Sequence, residues 1–165
     1  AYHAAGGLNR DFAAARAVYI RRWREWQAAL RPLDGGGRDL YRVSTATLLA
    51  HTNKSIPGAV ASLAIPWGDA RGDDDLMQGA YHLVWSRDLG HHGGGLLAAG
   101  ALPDAVRLLE YLRATQEPDG HWPQNMWVSG EPFWDGVQVD QAASPVLLTD
   151  LALREGAIDE KLRPR

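Results

Sequence analysis

The chain has 165 residues, a net charge of -3 and a sequence pI near 6.1, and this length allows one domain with a real core. Its 17 Lys and Arg residues are scattered and no apolar run approaches about 18 residues, which excludes nucleic acid and membranes as expected partners. It has no cysteine, which excludes disulfides and thiolate metal sites but leaves the compartment open. Because it begins without Met and stops shortly after a helix start, we expect a fragment truncated at both ends.

The spacing of apolar residues predicts five helices, over residues 9–30, 39–51, 89–100, 103–115 and 138–153. Asn9 is the predicted cap of the first helix, Pro145 is predicted to break or kink the last, and Gly156 is predicted to end it. Between the second and third helices, residues 59–65 are predicted as a short strand, 69–75 as a polar loop and 81–88 as an extended segment. Residues 117–136 are predicted as a long loop rich in Pro, Gly and Trp.

Apolar residues at three- and four-residue steps predict which helix faces are buried. In the first helix they are Phe12, Ala15, Tyr19, Trp23, Trp26 and Leu30. In the second they are Leu40, Val43, Leu48 and Leu49, and in the fourth Val106, Leu109, Tyr111 and Leu112.

Short turns alternate with long aromatic loops between these helices, which favours an all-α toroid of helical hairpins with the site on the rim that carries the loops. A closed ring of six hairpins needs about twelve helices of ordinary length. We therefore expect residues 1–165 to form one incomplete arc, with a short strand or extended insertion.

The segment from Tyr81 to Asp88 carries the clearest chemical signal. Trp85 offers a flat apolar face beside the charged pair Arg87 and Asp88, and a hexopyranose needs both a stacking surface and groups that bind hydroxyls. The alternative is an Arg–Asp ion pair that caps a helix, with Trp85 in the core.

Two further stretches follow in order, QEPDGHWPQNMW at residues 116–127 and WDGVQVD at residues 134–140. Together with the Trp-x-Arg-Asp element, their order and spacing resemble the catalytic domain of bacterial glucoamylases and glucodextranases, glycoside hydrolase family 15. The resemblance covers roughly residues 11–153.

The resemblance implies a partial (α/α)6 barrel from an enzyme that releases glucose, with inversion, from the non-reducing ends of α-1,4- or α-1,6-linked glucans. Trehalose is an alternative substrate within the family. An inverting enzyme needs a general acid and a general base about 6.5–9.5 Å apart. The family's two catalytic glutamates would both lie C-terminal to residue 165, so we assign neither here and expect the chain alone to be inactive. No cofactor is implied, and the expected partner is an α-glucan.

The resemblance also implies the substrate-binding residues. Tyr81, Trp85, Arg87 and Asp88 match the segment that lines the subsite for the terminal glucose, and Trp134 matches a residue that packs beside the catalytic acid. Trp127, Gln138 and Asp140 are further matches, for which a structural role is the alternative.

Three departures from the family pattern stand out. Ser86 stands where the family usually has Pro, and Gln141 replaces a Glu common in the bacterial branch. Gly90, His91 and His92 stand where the helix usually begins with better helix formers.

One alternative function is a sugar-binding remnant without catalysis. Another is a triterpene-cyclase-like toroid, because residues 116–122 match one Gln-x-x-x-Gly-x-Trp repeat of those enzymes. We predict no metal site at His91, His92 and the acidic residues 73–75. Adjacent histidines on a helix point about 100° apart, and the aspartates lack the spacing of a calcium loop.

Overall fold

The computed structural model describes residues 11–33, 38–63 and 80–159, and for residues 38, 39 and 80 it describes the backbone alone. The chain divides into two compact units, Ala1–Pro32 and Leu33–Arg165. Within the described ranges, no helix combines the length and the apolar character that crossing a bilayer requires.

The described part of the first unit contains helix α1, Phe12–Ala29. Its cap is Asp11, whose carboxylate accepts a hydrogen bond from the Ala13 amide at 2.9 Å, because an Asp side chain can satisfy an amide of the first turn. The predicted cap, Asn9, lies outside the described residues.

The apolar stripe of α1 exists, but its predicted burial is wrong at Phe12 and Tyr19, which are 78% and 55% exposed. Its aromatic residues pack ring against ring instead, with 6.1 Å between the Tyr19 and Trp23 centroids and 6.0 Å between Trp23 and Trp26. Of the other predicted residues of the stripe, Leu30 is buried, Trp23 and Trp26 are half-buried, and Ala15 is exposed.

The second unit is mostly helical, which confirms the all-α prediction. Its described elements are α2, Arg38–His51; a 3-10 turn, Ala80–His82; α3, Ser86–Ala98; α4, Leu102–Ala114; β1, Asn125–Met126; β2, Pro132–Trp134; and α5, Val139–Arg154. The two strands pair antiparallel as a hairpin within the predicted loop 117–136.

Two predicted extended segments are wrong. Over residues 59–63 the structure has one isolated bridge, between Ala59 and Thr52, and residues 64 and 65 of the predicted strand lie outside the described ranges, as does the predicted loop 69–75. In residues 81–88 a single residue, Val84, forms a β-bridge, and α3 begins at Ser86, three residues earlier than predicted.

Helix α3 lies at the centre of this unit and packs against α2, α4 and α5. Its glycines allow close approach, since a Cβ at Gly93 would lie 2.6 Å from Leu148 of α5, and one at Gly95 would lie 2.9 Å from Leu48 of α2. The second half of α3 therefore packs closely against both neighbours at these two glycines.

The predicted inward face of α2 is wrong at Leu40 and Val43, which are 75% and 63% exposed. The buried residues of α2 and its end are Thr45 and Thr52. Each threonine hydroxyl donates to a carbonyl of its own helix, at 2.9 Å for Thr45 and 3.2 Å for Thr52. A threonine bonded in this way can be buried without an unsatisfied hydroxyl group, which a count of apolar residues misses.

On α4 the prediction is confirmed for Tyr111 and Leu112, which are buried, whereas Val106 and Leu109 are half-buried. Trp122 packs into the same core, and its indole N–H donates to the carbonyl of Leu112 at 2.9 Å. The single Gln-x-x-x-Gly-x-Trp match therefore places its Trp in the core of this unit.

Helix α5 runs unbroken through Pro145 and ends where predicted, with Gly156 in the left-handed region at φ 67°. One face is buried and includes Gln141, Leu148 and Ala152. Another is apolar but open to solvent, with Val146 60% and Leu147 67% exposed.

Candidate functional site

The site is built on the first turn of α3. Trp85 precedes this helix in extended backbone conformation and gives no side-chain cap, so the first amides need acceptors from elsewhere. The side chain of Gln141, on α5, supplies one: its Oε1 accepts from the Arg87 amide at 2.8 Å and from the Ser86 hydroxyl at 2.8 Å. The start of α3 is thus fastened to the start of α5.

Arg87 connects the two helices a second time through its guanidinium. Nη1 donates to Oδ2 of Asp140 at 2.7 Å, and Nη2 donates to Oδ2 of Asp88 at 3.3 Å. The hydrogen bond with Asp140 is the main reason why the pKa of Arg87 is raised and that of Asp140 is lowered. Three of the predicted residues are therefore brought together as one charged cluster.

The cluster remains accessible to a ligand. The side chains of Asp88 and Asp140 are 46% and 52% exposed, so their carboxylates keep free acceptor positions that face solvent. Five guanidinium N–H donors and two carboxylates in one place suit a ligand that carries several hydroxyl groups.

Tyr81 and Trp85 stand next to this cluster in sequence and pack against each other. Their ring centroids are 5.7 Å apart and their planes are tilted by 30°. Trp85 is half-buried and Tyr81 exposed, so the alternative that placed Trp85 in the core does not describe its environment. The pair offers an apolar face to a flat ligand.

The β1–β2 hairpin carries a second aromatic group. The ring of Phe133 packs against Trp134 at 5.7 Å and against Trp127 at 5.4 Å between centroids. Paired backbone hydrogen bonds of 2.8 and 2.9 Å between Val84 and Met126 join this hairpin to the segment that precedes α3. The hairpin that carries Trp127 and Trp134 is thereby connected to Val84, the residue before Trp85.

The remaining predicted residues have structural partners. Gln138 is the N-terminal cap residue of α5, and its Oε1 accepts from Nε2 of Gln141 at 3.4 Å. The carbonyl of Trp127 accepts from the Tyr111 hydroxyl at 3.2 Å, which ties the hairpin to α4. Sequence reasoning missed Phe133, the middle residue of β2, which is less exposed than its two neighbours. It also gave Gln141 no role in the site.

An open cavity of about 290 Å³ lies on the other side of Asp88. It is bounded by α2, residues 59–61 and the first turns of α3, including His51, His91 and His92. His92 approaches the Thr52 hydroxyl at 3.2 Å, and burial lowers its pKa to about 4, whereas His91 is exposed. In the ranges that the structure describes, no three His, Asp or Glu side chains converge as metal ligands, and residues 73–75 lie outside those ranges.

Packed helices with an exposed arginine–aspartate cluster and exposed aromatic side chains at the start of α3 are the features to compare with known proteins. No family model matches the chain. It is 39% identical over 158 residues to a glucoamylase of Clostridium sp. (strain G0005), an alignment that covers 95% of this chain and 22% of that protein. It is also 34% identical over 74 residues to an uncharacterized glycosyl hydrolase of Methanocaldococcus jannaschii, covering 45% of this chain and 12% of that one.

Among solved structures, a bacterial glucoamylase complexed with acarbose matches with a TM-score of 0.75 and 38% identity, covering 92% of this chain and 22% of that chain. The described helices therefore form part of the (α/α)6 barrel of glucoamylases. This similarity confirms the resemblance to the glucoamylases of glycoside hydrolase family 15, and the chain spans about a fifth of the length of the glucoamylases it matches.

Proposed function

We propose that this chain supplies the glucose-binding wall of an inverting exo-acting α-glucosidase, which releases glucose from the non-reducing ends of α-1,4- or α-1,6-linked glucans. The observation that carries the proposal is the cluster in which Arg87 is held between Asp88 and Asp140 beside the Tyr81–Trp85 pair. The glucoamylase structure solved with acarbose supports an oligosaccharide as the ligand.

The binding chemistry follows from the side chains. Carboxylates accept hydrogen bonds from two sugar hydroxyls at once, and a guanidinium that is held from two sides donates its remaining N–H groups in fixed directions. The aromatic faces of Tyr81, Trp85 and Trp134 cover the apolar C–H faces of the ring. We place the non-reducing glucose against Arg87, Asp88 and these aromatic side chains. Trp127, Gln138 and Asp140 support that surface through their contacts with α4, Gln141 and Arg87.

We infer that the general acid and base come from outside residues 1–165. A general acid needs a carboxyl group that stays protonated near neutral pH, whereas the hydrogen bond with Arg87 lowers the pKa of Asp140. The guanidinium of Arg87 also donates to Asp88, so both carboxylates of the cluster are already engaged as hydrogen-bond acceptors, a role that suits the binding of hydroxyl groups. Residues 1–165 remain predicted as an incomplete arc of one catalytic domain.

The 165-residue chain alone is expected to release no glucose from maltotriose, because it binds the sugar without supplying the acid or the base. A chimera in which the chain replaces the 158 homologous residues of the Clostridium glucoamylase is expected to release glucose. Enzyme-coupled glucose assays on both proteins test this. Glucose release by the chain alone overturns the assignment of the acid and base, and a folded but inactive chimera overturns the proposed function.

In that chimera, Asp88→Ala is expected to raise KM and to lower kcat/KM by about 10- to 100-fold, the effect of losing a charged hydrogen bond to a sugar hydroxyl. kcat should fall as well, since such bonds strengthen as the ring distorts toward the transition state. Asp150→Ala is the matched control, because Asp150 is an exposed carboxylate paired with Arg154 on α5. Equal kcat/KM values for the two variants would remove Asp88 from the site.

A further inference from the structure

We infer that Ser86 and Gln141 act as a positioning pair, which holds the start of α3 against α5 and thereby fixes Arg87 between Asp88 and Asp140. The importance of this pair for sugar binding rests on the proposed function, whereas its effect on Arg87 does not.

Gln141 is fully buried, yet its amide has partners on both sides. Its Oε1 accepts from the Arg87 amide and from the Ser86 hydroxyl, both at 2.8 Å. Its Nε2 donates to Gln138 Oε1 at 3.4 Å. A buried primary amide that is bonded in this way has one favourable orientation, because rotating it would turn its donors toward Ser86 and Arg87.

Pro145 explains why the serine is needed. A proline has no amide hydrogen, so within α5 the carbonyl of Gln141, four residues earlier, has no helical donor. The hydroxyl of Ser86, itself fully buried, donates to that carbonyl at 2.7 Å and so replaces the missing amide. The single hydroxyl proton of Ser86 is shared between the backbone and side-chain oxygens of Gln141. Ser86 therefore joins α3 to α5.

The hydrogen bonds of Ser86 and Gln141 position the guanidinium of Arg87 relative to Asp140. The backbone of Arg87 is held by Gln141 and its guanidinium by Asp140, two consecutive residues of α5. The ion pair alone would fix Arg87 poorly, because its side chain is 36% exposed and that of Asp140 is 52% exposed, and exposed pairs contribute little. The buried bonds of Gln141 supply the fixed geometry that the exposed pair lacks.

The first test is an NMR titration of the Asp140 carboxyl carbon in the 165-residue chain. In the wild type the hydrogen bond from Arg87 lowers the pKa of Asp140, and in Gln141→Ala we expect that pKa to rise toward its ordinary value because Arg87 is no longer held. Thr149→Ala is the matched control. It removes a buried side-chain hydrogen bond of 2.8 Å on the same helix, without contact to Arg87, and should leave the Asp140 titration unchanged.

An unchanged Asp140 titration in folded Gln141→Ala overturns the inference, and so does an equal shift in Thr149→Ala. If Gln141→Ala does not fold, Ser86→Ala replaces it, since that variant removes one hydroxyl and is expected to shift the pKa of Asp140 in the same direction by less. No shift in Ser86→Ala then counts against the positioning pair.

The second test is acarbose binding by the same proteins, followed by Trp fluorescence. Gln141→Ala is expected to weaken binding about tenfold, as for the loss of one charge-assisted hydrogen bond. Gln141→Glu keeps an acceptor oxygen for both donors and is expected to restore most of the affinity. If the wild type does not bind acarbose, the proposed function fails, and the Asp140 titration alone still decides the positioning role.

Discussion

Replacing Trp122 with alanine is expected to destabilise the second unit by about 3–5 kcal/mol. The indole is only 2% exposed, and its N–H donates to the Leu112 carbonyl, so truncation opens a cavity and removes a buried hydrogen bond together. Urea unfolding followed by circular dichroism at 222 nm measures this loss.

Trp134→Ala is the matched comparison, because Trp134 is 40% exposed on the hairpin. We expect it to reduce stability by less than about 1 kcal/mol, as is usual for surface positions, while weakening acarbose binding. The two variants are thus expected to differ in kind: Trp122→Ala lowers the free energy of unfolding, whereas Trp134→Ala mainly lowers the affinity for acarbose. Similar losses of stability for both would contradict the assignment of Trp122 to the core and Trp134 to the site.

Alanine at Gly90 is expected to destabilise the protein, and alanine at Gly94, on the same helix, to stabilise it. A Cβ at Gly90 would lie 2.9 Å from the Ser144 Cβ and 3.3 Å from the Ser144 carbonyl oxygen, which can move only if α5 moves. Such overpacking costs about 1–3 kcal/mol. At Gly94 the nearest atom outside its own helix, on Leu151, is 3.8 Å away, so the better helix propensity of alanine remains, worth about 0.5–1 kcal/mol.

The free energies of unfolding of the two variants should therefore differ by about 1.5–4 kcal/mol. Because Gly90 lies between Arg87 and the rest of the α3–α5 contact, its alanine variant should also disturb the charged cluster. Urea titrations of both variants, run beside the wild type, give the difference directly. Equal stabilities of Gly90→Ala and Gly94→Ala would contradict the close contact of α3 with α5 at Gly90.

Much of the helical layout was predictable because it depends on local signals. The bounds of α2, α4 and α5 were correct to within a residue, since apolar spacing, Pro103 near the start of α4 and Gly156 after α5 mark them. The inward face of α2 was predicted only in part: Leu48 and Leu49 are half-buried, whereas Leu40 and Val43 are exposed and two threonines bonded to their own helix are buried instead.

For the site, sequence reasoning brought Arg87 and Asp88 together because they are adjacent, and the resemblance added Asp140. It did not reveal that two of the three departures from the family pattern, Ser86 and Gln141, contact each other across 55 positions of sequence. That contact depends on how closely α3 approaches α5, which a single sequence does not state. The hairpin was missed for a different reason, since strands of two and three residues are too short to show a period.

The solubility of the 165-residue chain, when it is prepared alone, is expected to be limited by the open apolar face of α5. Val146 and Leu147 are 60% and 67% exposed, and exposed apolar patches promote association between molecules. A charged residue in place of Leu147 is expected to reduce that association without touching the charged cluster at the start of the helix.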